Sequence, residues 1–148
     1  MKAITLRHPW PFAICYWGKR IENRGWQPRT ELKIGQRFAI HGGRPPSNAA
    51  YRRYVCETTE QLIERFGWPP HLDDETTFRE LLTLVVTPGI VGTAILSEIL
   101  TESDDPWFEG PFGWQMTDVQ VFDEPVSCPG AQGLWAVPKD IEERLVAR

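Results

Sequence analysis

The sequence predicts a small α+β fold, a mixed or antiparallel β-barrel of about five to six strands decorated with helices. Apolar and polar residues alternate at 2–7 and 35–41, as they do in half-buried strands. A helical stripe of apolar residues then runs from Tyr51 to Phe66, which inserts helices after the third strand. Strand-like runs bounded by Pro and Gly return at 90–99, 114–122 and 133–137 and supply the rest of a sheet. At 148 residues the chain fits one domain, 1–148, with enough interior for a serviceable core.

Each element follows from local chemistry. Lys2–Arg7 predicts a first strand with Ile4 and Leu6 on one face. His8-Pro9-Trp10-Pro11 breaks it, and Pro suits the first positions of a helix because its missing N–H has no intrahelical partner to lose. Phe12, Ala13, Cys15, Tyr16 and Trp17 make that helix short and apolar, and Gly18 ends it. Arg20–Trp26 predicts a second strand. Gly35–His41 predicts a third, with Phe38 and Ile40 opposite Arg37, Ala39 and His41. Ser47 is the expected cap of a helix reaching Phe66, and Asp74–Val85 predicts another that turns Phe78, Leu81 and Leu82 inward. Ile90–Ile99 fits helix or strand by periodicity, and its β-branched residues after Pro88-Gly89 favour a buried strand. Residues 101–113 are acidic and rich in Pro and Gly, so they predict a loop. Trp114–Phe122 and Gly133–Val137 predict the closing strands, and 139–148 a terminal helix.

Composition narrows the function. A hydrophobic content of 41% and a charged content of 24% are ordinary for a globular chain and argue against disorder. Apolar runs fall short of the ~20 residues of a membrane span. Charge interrupts the N-terminus too early for a signal peptide, so a cytoplasmic location is expected, with no membrane partner. The cysteines, Cys15, Cys56 and Cys128, are odd in number and far apart, as expected of reduced thiols rather than a disulfide framework or zinc site. No metal-ligand cluster, Walker loop, dinucleotide fingerprint or triad spacing is present, so no metal and no cofactor are expected.

The net charge of −4 conceals a division. Residues 1–53 hold eleven Lys/Arg against two Asp/Glu, and residues 54–148 hold five against eighteen. Such asymmetry points to a polyanion partner unless the fold mixes the two halves over one surface. Seven Trp, seven Phe and three Tyr provide surfaces on which flat ligands stack, although cores use the same residues.

The densest chemistry lies in Gly18-Lys19-Arg20-Ile21-Glu22-Asn23-Arg24. Residues two apart on a strand share a face, so Arg20, Glu22 and Arg24 are expected to project together. Guanidiniums beside a carboxylate hold it ionised and leave N–H donors for phosphate. The alternative is a surface ion-pair ladder worth ~0–1 kcal/mol and without function. Lys19, at the helix-to-strand turn, is free of the alternation and can join that face. His41, at a strand end beside Gly42-Gly43 and Arg44, is either a proton-transfer group or a histidine hydrogen-bonded in a turn. Trp26 and Trp114 are either base-stacking platforms or core.

Ile4-Thr5-Leu6-Arg7-His8-Pro9-Trp10, the segment from Gly18 to Arg24, and Trp26 together resemble the start of ASCH (activating signal cointegrator homology) domains, which are similar to PUA-like barrels of RNA-modifying enzymes. The family's hallmark is the series G-x-K-x-x-E-x-R. Lys19, Glu22 and Arg24 keep that spacing, while Trp17 stands where its glycine is expected and Gly18 is displaced by one. Ile40-His41-Gly42-Gly43, Gly92-Thr93-Ala94, Gly113-Trp114 and Gln132-Gly133-Leu134-Trp135 extend the resemblance over nearly the whole chain.

The resemblance implies a PUA-like barrel whose charged cleft binds RNA, another single-stranded nucleic acid, or a nucleotide. Lys19, Arg20, Glu22, Arg24, Trp26, His41, Arg44 and Trp114 are its expected contacts. It also permits a hydrolase without metal, a ribonuclease or an amidohydrolase on acylated cytidine, with Lys19, Glu22 and His41 as the catalytic groups. An amidohydrolase calls for a Thr or Ser nucleophile near the lysine, and the closest hydroxyls in sequence are Thr5 and Thr30. A third reading is a protein-interaction domain whose acidic Glu98–Glu109 segment meets a basic partner.

Overall fold

A computed structural model describes residues 1–146. Among these residues one mixed sheet of six strands, ordered β2-β5-β4-β3-β1-β6, is combined with four helices. The strands are β1 (Lys2–Leu6), β2 (Ile21–Arg24), β3 (Arg37–Gly42), β4 (Gly89–Leu100), β5 (Phe112–Val126) and β6 (Leu134–Ala136). The helices are α1 (Trp10–Tyr16), α2 (Ala49–Phe66), α3 (Phe78–Leu84) and α4 (Lys139–Val146). The α+β barrel-like class expected from the pattern is the one observed. The pairing is mixed because β1 and β3 run parallel, joined through α1 and β2, and every other pair is antiparallel.

The alternation in the strands separates two faces. Ile4, Leu6, Phe38, Ile40, Leu96, Trp114 and Met116 pack into the interior of the curled sheet. Ala3, Ala39, Ile90 and Val126 face the other way and are covered by Val137 and by Leu145 of α4. Helix α1 bridges two cores. Ile14 enters the sheet interior, whereas Phe12, Ala13 and Trp17 pack with Val55, Leu62, Leu81 and Val85 of the helical layer.

Some boundaries differ from expectation for local reasons. Asn48, not Ser47, caps α2, its Oδ1 accepting the Tyr51 amide at 2.8 Å, because the helix begins one residue later. Helix α3 starts at Phe78, where Thr77 and Glu80 form a reciprocal capping box, and Asp73 to Thr76 are a turn. Strand β5 continues past Phe122 to Val126. Beyond Gln115 it has no β2 partner, and Pro125 lies where the β4 register shifts between the pairs Gly92↔Val121 and Ile90↔Val126. Residues 147 and 148 of the expected terminal helix lie outside the described residues. No helix among the described residues is long and apolar enough to cross a membrane.

Two glycines shape the approach to the site. Gly18 has φ of +76°, the left-handed conformation that closes α1 and turns the chain toward β2. A Cβ on Gly42 would lie 2.0 Å from the Thr87 carbonyl oxygen, so only glycine lets the end of β3 pass that backbone.

Candidate functional site

Strand β2 is short and sits at one edge of the sheet. Glu22 is buried there at 8% exposure, and Lys19, at 3%, reaches it from the preceding turn. Lys19 Nζ lies 3.3 Å from Glu22 Oε1, donates to the Ile21 carbonyl and stands 5.5 Å from the Trp10 ring centroid. Arg24 Nε is 3.1 Å from Glu22 Oε2, with its N–H not directed well enough at the oxygen to count as a hydrogen bond. One carboxylate therefore stands between two cations. This is a partly buried cluster, not a solvated ladder.

Arg24 also donates from Nη2 to the Thr5 carbonyl at 3.2 Å. Thr5 lies one residue past the last β1–β6 pair, Ile4↔Leu134, and three strands separate β2 from β1 in the sheet. The guanidinium thus ties the β2 edge to β1 and helps close the curl. Arg20 does not join this group. Its Nη1 donates to the carbonyls of Ile14 at 2.8 Å and Lys19 at 3.1 Å, satisfying the end of α1. Strand β2 begins at Ile21, and the Arg20 guanidinium is held back at the end of α1 instead of beside Glu22.

Lys19 and Glu22 line a cavity of about 190 Å³. Trp10, Asn23, Tyr54, Arg65 and Trp107 complete most of its wall. Trp10 Nε1 donates to the Tyr54 hydroxyl at 2.8 Å, and Trp107 stacks on Phe66 at 3.8 Å and 7°. Asn23 fixes the segment carrying Trp107: its Nδ2 donates to the Trp107 carbonyl, and its Oδ1 accepts the amides of Glu109 and Gly110. Arg65 donates to the Pro106 carbonyl at 2.7 Å. Trp10, Tyr54, Arg65 and Trp107 were not among the site residues expected from sequence. Tyr54 fell in the apolar stripe of α2, and Trp107 in a segment that reads as a solvated acidic loop.

The other expected contacts lie elsewhere. Trp114 is fully buried, with Trp26 at 5.0 Å and Phe38 at 6.5 Å in edge contacts, so its ring offers no surface to a base. Trp26 is 37% exposed, and its carbonyl accepts the Trp114 indole N–H. His41 and Arg44 line a different cleft, of about 570 Å³, together with Thr5, Pro129 and Gly130. Lys19, Glu22 and His41 therefore do not converge on one cavity. The link between the two sites is Arg24, bonded to the Thr5 carbonyl.

His41 is 3% exposed, and its Nε2 donates to the Cys128 carbonyl at 2.6 Å. His8 is fully buried, donating to the Gly43 carbonyl at 2.8 Å and accepting the Thr87 amide at 3.2 Å. Burial lowers both imidazoles from the ordinary 6.5, partly offset by these carbonyl bonds, and proximity to His41 lowers His8 further. An unfolded chain then binds protons that the folded one refuses. Stability should therefore be full above the ordinary histidine value and fall as pH drops through it toward the lower folded values. Urea midpoints are expected to fall between about pH 7.5 and 5.5, and His8→Gln to flatten that fall.

Burial pushes the Cys15 thiol up to about 12, and Cys56 and Cys128 are also raised, which keeps them protonated near neutral pH. No group of three or more potential metal ligands occurs among the described residues. No protein-family model matches the chain, and no curated protein matches it either.

Proposed function

We propose that this protein binds a nucleotide or an unpaired base of a single-stranded nucleic acid, RNA before DNA, in the cavity floored by Lys19 and Glu22. The observation that carries the reading is that cavity's composition: indole and phenol walls around a buried donor–acceptor pair. A volume of about 190 Å³ suits one planar base. Lys19 donates to Ile21 and Glu22 and keeps a third ammonium proton, while Glu22 can accept beside it, as a base edge with adjacent acceptor and donor requires. The charged lining residues are Lys19 and Arg65 against Glu22 and Glu109, which cancel and favour a neutral base over a phosphate inside.

Phosphates are better served at the edge. Arg7 is exposed, stacks 4.1 Å over the Tyr54 ring, and has no carboxylate partner among the described residues. It stands next to the cavity wall, and with Arg65 it takes the phosphate role that the sequence suggested for Arg20 and Arg24. The resemblance of residues 4–26 to ASCH domains supports the same reading. A nucleic-acid ligand is also consistent with a cytoplasmic location. The described residues lining this cavity include no Ser, Thr, Cys or His, so its chemistry suits binding better than hydrolysis.

Fluorescence anisotropy of a labelled single-stranded oligoribonucleotide tests the proposal. Affinity is expected to fall steeply from about 50 to 200 mM salt as phosphate contacts are screened. Trp107→Ala should weaken binding roughly 5- to 150-fold, the worth of one base–aromatic stack. Absence of binding to RNA, DNA and mononucleotides at low salt would overturn the reading.

A further inference from the structure

Thr5 and His41 are partners in the parallel β1–β3 ladder, and a register shift in β3 falls between Ile40 and His41. Thr5 Oγ1 is 3.0 Å from His41 Nδ1 and 3.0 Å from Trp135 Nε1. His41 Nε2 is 2.6 Å from the Cys128 carbonyl oxygen. Donor rules fix the direction of every proton here. An indole N–H only donates and a carbonyl only accepts. Thr5 Oγ1 therefore accepts from Trp135 and gives its own proton to Nδ1, while Nε2 keeps a proton for Cys128. The basic nitrogen of a neutral imidazole faces a hydroxyl, and a carbonyl orients the imidazole from its far side. This is the arrangement of an activated nucleophile.

We propose that Thr5 is a nucleophile with His41 as its general base and acid, and that the 570 Å³ cleft they line hydrolyses small carboxylic esters bearing an anionic group. The proposal is independent of base binding at Lys19 and Glu22. Thr5 is half-buried and lines the cleft directly. Gly130 covers the pair closely: a Cβ there would lie 2.5 Å from Thr5 Oγ1 and 2.6 Å from His41 Cε1, so any larger residue would press on the reacting groups. Pro45, Pro88, Pro125 and Pro129 make much of the lining apolar, as a small acyl group prefers. Arg44 is exposed on the same cleft and has no hydrogen-bond or ion-pair partner among the described residues, which leaves its guanidinium for a carboxylate or phosphate on the substrate.

The chemistry balances with water alone. Thr5 Oγ bonds to the ester carbonyl carbon as its proton passes to His41 Nδ1, and the Cys128 carbonyl stabilises the resulting imidazolium. The C–O bond to the alcohol then breaks, and the leaving oxygen takes the proton from Nδ1, giving an acyl-threonine and free alcohol. Water adds to the acyl carbon and yields its proton to Nδ1. The bond to Thr5 breaks, and Oγ recovers the proton. Ester and water become acid and alcohol. Because burial lowers His41 from the ordinary histidine value, the imidazole is neutral and able to act near pH 7.

The test is hydrolysis of mono-p-nitrophenyl succinate and p-nitrophenyl acetate, with peptide mass mapping of acid-quenched enzyme. The wild-type protein is expected to turn over both, to prefer the succinate, and to carry the acyl group on the peptide containing Thr5. Thr5→Val should abolish turnover, Thr5→Ser preserve it, His41→Asn lower it roughly 100-fold or more, and Arg44→Gln erase the preference. Far-UV circular dichroism confirms that each variant folds. If Thr5→Val fails to fold, the wild-type adduct and the Thr5→Ser rate still decide. No turnover above buffer, an adduct elsewhere, or an unchanged rate in folded Thr5→Val would overturn the proposal.

Discussion

Glu22→Ala should destabilise the protein by about 3–5 kcal/mol, because it leaves a buried cation without its counter-charge. Lys19 is only 3% exposed, and Glu22 is the carboxylate paired with its ammonium. The same change frees Arg24, whose contact with the Thr5 carbonyl spans from β2 to β1, so the loss extends to the closure of the sheet. Glu22→Gln keeps an acceptor but not the charge and should fall between wild type and alanine. The double variant Lys19→Met/Glu22→Leu should recover most of the loss, since apolar replacement of a buried pair is often neutral. Urea unfolding of all four proteins checks this. A loss under about 1 kcal/mol for Glu22→Ala would mean that water solvates the cluster as it does a surface pair.

Trp114→Ala should cost about 3–5 kcal/mol, the usual range for deleting a large buried aromatic. Trp114 is the largest fully buried side chain among the described residues and packs with Phe38, Met116 and Leu96 in the sheet interior. Its indole N–H also donates to the Trp26 carbonyl, so removal unpins the segment after β2. Trp114→Phe should cost less, since it keeps most of the volume and loses only the hydrogen bond and part of the ring. If this tryptophan were a stacking platform, the alanine variant would fold normally and lose ligand. Thermal or urea unfolding alongside a binding assay separates the outcomes.

Sequence legibility followed the range of the interactions. In β3 the alternation of Phe38 and Ile40 against Ala39 and His41 is set by pleat geometry, and it appears as expected. Lys19, Glu22 and Arg24 stood together in sequence through the spacing of the ASCH series, which is local, whereas alternation grouped Arg20 with Glu22 and Arg24. Arg20 does not stand beside them, because its guanidinium turns back to the Ile14 and Lys19 carbonyls, a contact that strand alternation does not encode. The Thr77–Glu80 capping box, a local T-x-x-E signature, sets the start of α3 at Phe78 and not at Asp74. Trp107 was illegible for another reason. Asn23 holds its segment across 84 to 87 residues of chain, and no local pattern encodes such a contact. The pairing of Thr5 with His41 likewise depends on parallel strands joined through a helix and another strand. The charge division did not become two separate faces. Arg37 of β3 pairs with Asp118 of β5, and both halves contribute charges to the Lys19 cavity.

The most direct test of base binding is to follow the indole N–H and backbone amide signals by two-dimensional ¹H–¹⁵N NMR while nucleoside monophosphates are added. Saturable shifts are expected for the Trp10 and Trp107 indoles and for amides at 19–23 and 106–109, with little change at 127–132. Shifts confined to 42–44 and 127–132, or none at saturating ligand, would contradict a base-binding cavity at Lys19 and Glu22.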